Sequence, residues 1–206
     1  MNSESRKSIR VDLQIIADMI ETGSRVLDVG CEHGALLDYL RRFKRVDGRG
    51  IELSTEGVKE SVSHGLSVVQ GDADTDLKDY PDDAFDYVVL SQTLQAMREP
   101  KAVLGHMMRI GRSAIVSFPN FAHWRVRLQL GFRGRMPVSQ SMPHQWYETP
   151  NIHFCTIRDF IVLCAEMGYT IEQSIALDGS GAQRGIGRSF FLANLLGEQA
   201  VFLLKK

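Results

Sequence analysis

The feature that most restricts this chain is Val26-Leu-Asp-Val-Gly-Cys-Glu-His-Gly34, an apolar strand that runs into a glycine-flanked turn and then into a helix. Such a turn lets backbone N–H groups approach a ligand, and the amino terminus of the following helix favours a negative group. The spacing is not the dinucleotide-binding G-x-G-x-x-G, because Gly30 and Gly34 stand four apart with Glu32 between them. Taken alone, the two glycines have a second reading: they simply turn the chain between strand and helix.

Two acidic positions further along give the turn a context. Glu52 ends the strand read as Gly48–Leu53, 22 residues after Gly30, where a carboxylate can accept hydrogen bonds from both hydroxyls of a ribose. Asp72 follows the strand Leu66–Gln70, where it and the next backbone groups can meet an adenine edge. Ligands of open α/β sheets bind at the carboxyl ends of the strands, and three such features on three consecutive strands point there together.

The rest of the pattern alternates short apolar runs with helical segments, as βα units of a mainly parallel sheet do. An opening helix is expected at Arg10–Ile20 with Val11, Ile15, Ile16 and Met19 on one face, followed by strand Arg25–Val29 and a helix from Ala35 to Phe43. Ser54 is placed to cap the next helix and Gly65 to end it. Phe85–Leu90 reads as a strand buried on both faces, Pro100 opens a helix that stops near Gly111, and Ile115–Phe118 is a fifth strand. Phe121–Gly131 carries both strand alternation and helix formers, and Gly131–Asn151 reads as a long functional or partner-facing loop. Thr156 and Asp159 form a capping-box variant opening a helix closed by Gly168. Tyr169–Leu177 and Glu198–Leu204 supply two closing strands around a glycine-rich linker, Gly179–Gly187.

Length and composition narrow the function classes. The 206 residues suit one domain, 1–206, with a long segment after the fifth strand at about 119–155. Lys and Arg number 24 against 25 Asp and Glu, a net charge of −1 that disfavours general nucleic-acid binding. The longest apolar runs fall far short of the ~20 residues a spanning helix needs, and MNSESRKSIR has no apolar core of a secretion signal. With Cys31, Cys155 and Cys164 lacking any CxxC pair, the expectation is a cytoplasmic protein with reduced thiols and no membrane association. His144, His153 and Cys155 are the nearest approach to a metal cluster but lack standard spacing, so no metal is expected.

The matching positions, Asp28, Gly30 through Gly34, Glu52, Asp72 and Phe85-Asp-Tyr-Val-Val-Leu90, resemble the class I S-adenosylmethionine (SAM)-dependent methyltransferase superfamily. That resemblance implies a Rossmann-like α/β fold, a mainly parallel seven-stranded sheet of order 3-2-1-4-5-7-6 with helices on both faces. It also implies SAM or S-adenosylhomocysteine as ligand, with the glycine turn under the methionyl moiety, Glu52 on the ribose and Asp72 at the adenine. The cofactor set it assigns is Asp28, Gly30, Cys31, Gly34, Glu52, Leu53, Asp72, Ala73 and Ser91.

More narrowly, the whole chain resembles the MetW family of methionine biosynthesis proteins. Six segments carry this: Asp12-Leu-Gln-Ile-Ile-Ala-Asp18, Asp86-Tyr-Val-Val-Leu-Ser-Gln-Thr-Leu-Gln-Ala96, Phe118-Pro-Asn-Phe-Ala-His-Trp-Arg-Val-Arg-Leu-Gln-Leu130, Gly134-Arg-Met-Pro-Val138, Gln145-Trp-Tyr-Glu-Thr-Pro-Asn-Ile-His153 and Asn194-Leu-Leu-Gly-Glu198. The resemblance implies a SAM-binding protein acting with or regulating a homoserine O-acyltransferase, with SAM as a downstream product available for feedback. Two other readings stand beside it: a SAM-dependent methyltransferase for a small molecule, or an interaction module that has lost SAM.

Glu32 keeps the last reading open. Related chains read Gly-Cys-Gly-Asp-Gly where this one reads Gly30-Cys-Glu-His-Gly34, so a side chain stands where positive φ and close ligand approach favour glycine. Its carboxylate opposes that of SAM unless it points outward. His123 is the best-placed candidate general base, with orientation of the following helix beside Trp124 as its other reading. Arg125, Arg127, Arg133 and Arg135 can grip an anion or form a solvated face. Phe132, Trp146 and Tyr147 suit either core packing or a protein interface. Cys31 reads as a small buried residue rather than a nucleophile.

Overall fold

A computed structural model describes residues 9–139, 141–186 and 190–206. Its strands are β1 (Arg25–Val29), β2 (Asp47–Glu52), β3 (Ser67–Gln70), β4 (Phe85–Ser91), β5 (Gly111–Pro119), β6 (Thr170–Leu177), β7 (Gln183–Gly185) and β8 (Gln199–Lys205). The helices are α1 (Val11–Met19), α2 (Ala35–Lys44), α3 (Thr55–Ser63), α4 (Ala73–Asp76), α5 (Pro100–Ile110), α6 (Trp124–Arg133), α7 (Ile157–Glu166) and α8 (Phe190–Leu196). One sheet runs β3-β2-β1-β4-β5-β8-β6-β7. β1 to β5 are parallel, and β8 enters antiparallel between β5 and β6.

The expected architecture is present with one strand added. The seven expected strands keep their order, but the glycine-rich linker is not purely a linker: β7 lies in it and extends the sheet edge through antiparallel pairing with β6. Every residue of β7 is exposed, so it carries no apolar alternation to read. The linker's last expected residue, Gly187, lies outside the described residues. Phe121–Gly131, ambiguous by pattern, is helical from Trp124 onward. At α1, Leu13 is buried while Val11, expected on the buried face, is exposed.

Side chains alternate across the sheet and both faces are covered. Leu27, Val29, Val88, Leu90, Val116, Phe118, Phe202 and Leu204 face a core closed by α5 and α7. Val26, Val89, Ile115, Val201 and Leu203 face the opposite core, closed by α1 and α2. The period of two in β-strands sends neighbours to opposite faces, so strands apolar at every position require helices on both sides. Phe118, Phe160 and Phe202 interlock, with centroid separations of 4.9, 4.8 and 5.8 Å.

Local signals set the helix ends. Ser54 Oγ accepts from the Gly57 N–H, and Thr156 and Asp159 complete a reciprocal capping box. Gly34, at φ +74°, starts α2, and a Cβ there would lie 2.4 Å from Leu66 Cδ1, so a side chain is excluded by both conformation and space.

Candidate functional site

The carboxyl ends of β1 to β4 open onto a cleft of about 430 Å³ lined by Gly30, Glu32, Glu52, Leu53, Asp72 and Ala73, together with Gln92, Thr93, Met97, Arg98, Pro150 and Asn151. The first six come from the turns after β1, β2 and β3, and the fold gathers them because those strands are neighbours in register. Glu52 closes the gap between two of the turns: its Oε2 accepts the Glu32 N–H at 2.9 Å and its Oε1 the Ser54 N–H at 2.8 Å. Each carboxylate oxygen keeps a further lone pair for a ligand hydroxyl. Gly30, at φ +69°, presents no side chain, and a Cβ there would meet Thr93 at 3.0 Å.

Asp72 caps α4 through its Oδ1, which accepts the Asp74 N–H at 3.0 Å, while its Oδ2 stands 3.8 Å from Arg98. Asp74 in turn accepts the N–H groups of Arg98 and Glu99. The floor after β3 is thereby tied to the loop after β4.

Other residues expected in the site support it from behind. Asp28 is 3% exposed. Its carboxyl is raised to about 7, first by burial and then by the charges of Glu32 and Glu52, against the opposing pull of Arg10. Cys31 packs with Leu37, Leu66 and Val68, and burial pushes its thiol up, which suits the reading of a small buried residue. Gly34 packs against Leu66 and Ser61. Ser91 ends β4 with its hydroxyl between Ser117 Oγ and Arg10, outside the lining of this cleft.

His123 is placed elsewhere. It lines a separate cleft of about 680 Å³ with Arg125, Arg184 and Glu198. Burial lowers its pKa, partly offset by Glu198 and reinforced by Arg125, which favours the neutral ring. Between the two lies a third cleft of about 530 Å³, which includes Glu32, Gln92 and Asn151 from one neighbour and Asp178 and Glu198 from the other. Among the described residues no group of three or more His, Cys, Asp or Glu side chains is arranged to hold a metal ion. His153 contacts the Arg98 carbonyl and Cys155 accepts from Gln95, in separate roles.

Gln92, Thr93, Arg98, Pro150 and Asn151 were not among the residues expected in the site. One signal marks the place: Gln92 has φ +57°, a left-handed conformation rare outside glycine, directly after β4. Its N–H donates to the Ser117 carbonyl at 2.9 Å, which holds the turn. Glu32 shares that conformation at φ +48°, and its side chain is 72% exposed, so the carboxylate stands at the rim rather than within the turn.

The segment after β5 roofs this edge. Phe121 donates to the Cys155 carbonyl at 3.1 Å and stacks on Phe154, which closes the base of the segment. The N–H groups of Ile152 and His153 both donate to the Gln95 carbonyl. Beyond that base, Phe132 is 85%, Trp146 69% and Tyr147 66% exposed, which answers the sequence alternatives: these aromatics are not core. Asn120 anchors the start, donating to the carbonyls of Asn194 and Gly197 and accepting from Ala122 and Ile157.

The cleft suits an adenosyl ligand in kind. Its volume lies in the range of roughly 300–1,000 Å³ usual for small-molecule sites, and it offers carboxylates after β2 and β3 and a side-chain-free approach at Gly30. Among solved structures, a SAM-dependent methyltransferase from Thermotoga maritima superposes with TM-score 0.70 at 16% identity, covering 95% of this chain and 88% of that one. A second, from Archaeoglobus fulgidus, gives TM-score 0.68 at 15% identity over 98% and 94%. At such identities the likeness establishes the fold. A relative from Rhodopirellula baltica, the bifunctional methionine biosynthesis protein MetXA/MetW, is 35% identical over 186 residues. The match covers 86% of this chain and 30% of that protein, so the chain spans about a third of the relative's length. The profile of the family described as methionine biosynthesis protein MetW matches residues 10–204, and the chain belongs to that family.

Proposed function

We propose that the chain binds SAM or S-adenosylhomocysteine in the cleft after β1 to β4 and, through the segment after β5, acts with a homoserine O-acyltransferase whose output it regulates. The observation that carries the reading is the juxtaposition of Gly30, Glu52 and Asp72 around one cleft roofed by a segment that exposes Phe132, Trp146 and Tyr147. Glu52 holds the ribose hydroxyls, Asp72 and Ala73 meet the adenine, and Asp28, Cys31, Gly34 and Ser91 shape the turn from behind. Exposed aromatics beside arginines are the composition of a protein interface. The joined name of the Rhodopirellula relative supports an acyltransferase partner, since fusion keeps two cooperating domains at high effective concentration.

The test has two arms. Calorimetric titration with SAM should give saturable binding that Glu52→Ala weakens. Co-purification with a homoserine O-acyltransferase should survive Asp72→Ala and fail when Trp146 or Arg133 is changed to Ala. Absence of SAM binding, or acyltransferase activity that ignores both the chain and SAM, sinks the proposal.

A methyl-transfer reading is favoured by one specific observation: the middle cleft of about 530 Å³ adjoins the cofactor cleft through Glu32, Gln92 and Asn151, leaving room for an acceptor. Transfer from labelled SAM to a defined acceptor, lost on changing Glu52 or Asp72, would establish it. His123, the candidate base, would serve that reaction only for an acceptor that extends from the middle cleft into the cleft beyond, which His123 lines.

A further inference from the structure

Arg10, immediately before α1, lies beside the glycine turn with its guanidinium fixed from behind. Its Nε and Nη2 donate to the two carboxylate oxygens of Asp12 at 3.2 and 3.1 Å, and Nη2 also reaches Ser91 Oγ at 3.4 Å. Asp12 is buried, so this fork is anchored in the core of the fold. An arginine pre-set in this way gives up little further freedom on meeting a second carboxylate.

The remaining nitrogen is under-used. Among the described residues Nη1 makes no hydrogen bond, and it stands 3.9 Å from Glu32 Oε2, an ion pair longer than a hydrogen bond. Glu32 is held in the turn only by its backbone, whose N–H is on Glu52. Its exposed side chain borders both the cleft of Gly30 and Asp72 and the neighbouring cleft that contains Arg10. A fixed cation with donors to spare, covered by a loosely held carboxylate, therefore stands in the neighbouring cleft, which Glu32 joins to the cleft of Gly30 and Asp72.

Resting on the cofactor reading above, we propose that Arg10 receives the α-carboxylate of the amino-acid tail of an adenosyl ligand, and that Glu32 is a built-in competitor for the same N–H donors. A ligand with the tail must displace Glu32, whereas a ligand without it leaves the Arg10–Glu32 pair in place. Glu32 thus lowers affinity without closing the site and makes the chain a reader of the tail as well as of the nucleoside.

S-adenosylhomocysteine and 5′-methylthioadenosine are both neutral thioethers at sulfur and differ in the tail, so calorimetric titration with each isolates the effect. Arg10→Ala should weaken S-adenosylhomocysteine by about tenfold or more, the usual worth of hydrogen bonds to a charged group, and leave 5′-methylthioadenosine within about twofold. Arg10→Lys, which keeps the charge without the fork, should fall between Arg10→Ala and the unaltered chain. Glu32→Gln should tighten S-adenosylhomocysteine a few-fold, on the order expected for removing an exposed competing charge, and leave 5′-methylthioadenosine unchanged. Equal losses for both ligands, or no loss in either arginine variant, would overturn the assignment. Failure of both ligands to bind the unaltered chain removes the cofactor reading itself, a result distinct from tight binding that ignores Arg10.

Discussion

Two groups of aromatic residues in this molecule have opposite fates. Phe118, Phe160 and Phe202 are sealed between the sheet and α7, while Phe132, Trp146 and Tyr147, on the segment after β5, are mostly in solvent. The residue types are alike, so hydrophobicity alone did not choose between them. What differs is the surface on offer: the sheet presents an apolar face that a helix must cover, whereas α6 buries Val126 and little else. The sheet side is built for stability, and the segment leaves apolar area exposed.

The largest expected effect tests the sealed side. Phe202→Ala removes the ring shared by two contacts and should cost about 3–5 kcal/mol in urea unfolding. A cost below about 1 kcal/mol would show that the aromatic cluster is not the keystone of that face. Next comes Gly34→Ala, where positive φ and the approach to Leu66 should together cost about 2–3 kcal/mol, read in the same way.

A third measurement follows Asp28. Its carboxyl moves from 3.8 to about 7 on folding, so the folded state keeps the proton longer than the unfolded chain does. The associated stability is complete below the unfolded value and is lost as pH rises through about 7. Asp28→Asn should remove that slope and raise stability at pH 8 relative to pH 5 by about 2 kcal/mol against the unaltered chain. A slope of the opposite sign would mean that the charged form is held by a partner. The smallest effect is on the open side: Trp146→Ala and Phe132→Ala should change stability by no more than about 0.5 kcal/mol. A larger loss would erase the contrast by making the segment part of the core.

The same contrast explains what could be read from the chain. Ser54, Thr156 and Asp159 cap their helices as expected because capping is settled within four residues. β4 and β8 were legible because burial on both faces leaves continuous apolar runs, and β1 because its run is broken only by the buried Asp28. β7 was not, since all three of its residues face solvent and its pairing with β6 is its reason to be extended. Glu52 and Asp72 could be placed at the carboxyl edge of the sheet because Glu52 ends one recognisable strand and Asp72 follows another. Gln92, Arg98 and Asn151 line the cleft, and Arg10 meets Glu32, only through the path of the chain in space, and no local pattern brings residue 10 beside residue 91 or residue 151 to the cleft that Gly30 lines. α6 was ambiguous for a related reason: Trp124, Leu128 and Leu130 are exposed, so their alternation recorded no buried face.

The Gln95 carbonyl, which takes the N–H groups of both Ile152 and His153, ties the far end of the roofing segment to the loop that supplies Met97 and Arg98 to the cleft. These two amides form a latch in hydrogen-exchange terms. Any opening that lifts the segment off the loop exposes both, so they should share one protection factor once each amide's intrinsic rate is divided out.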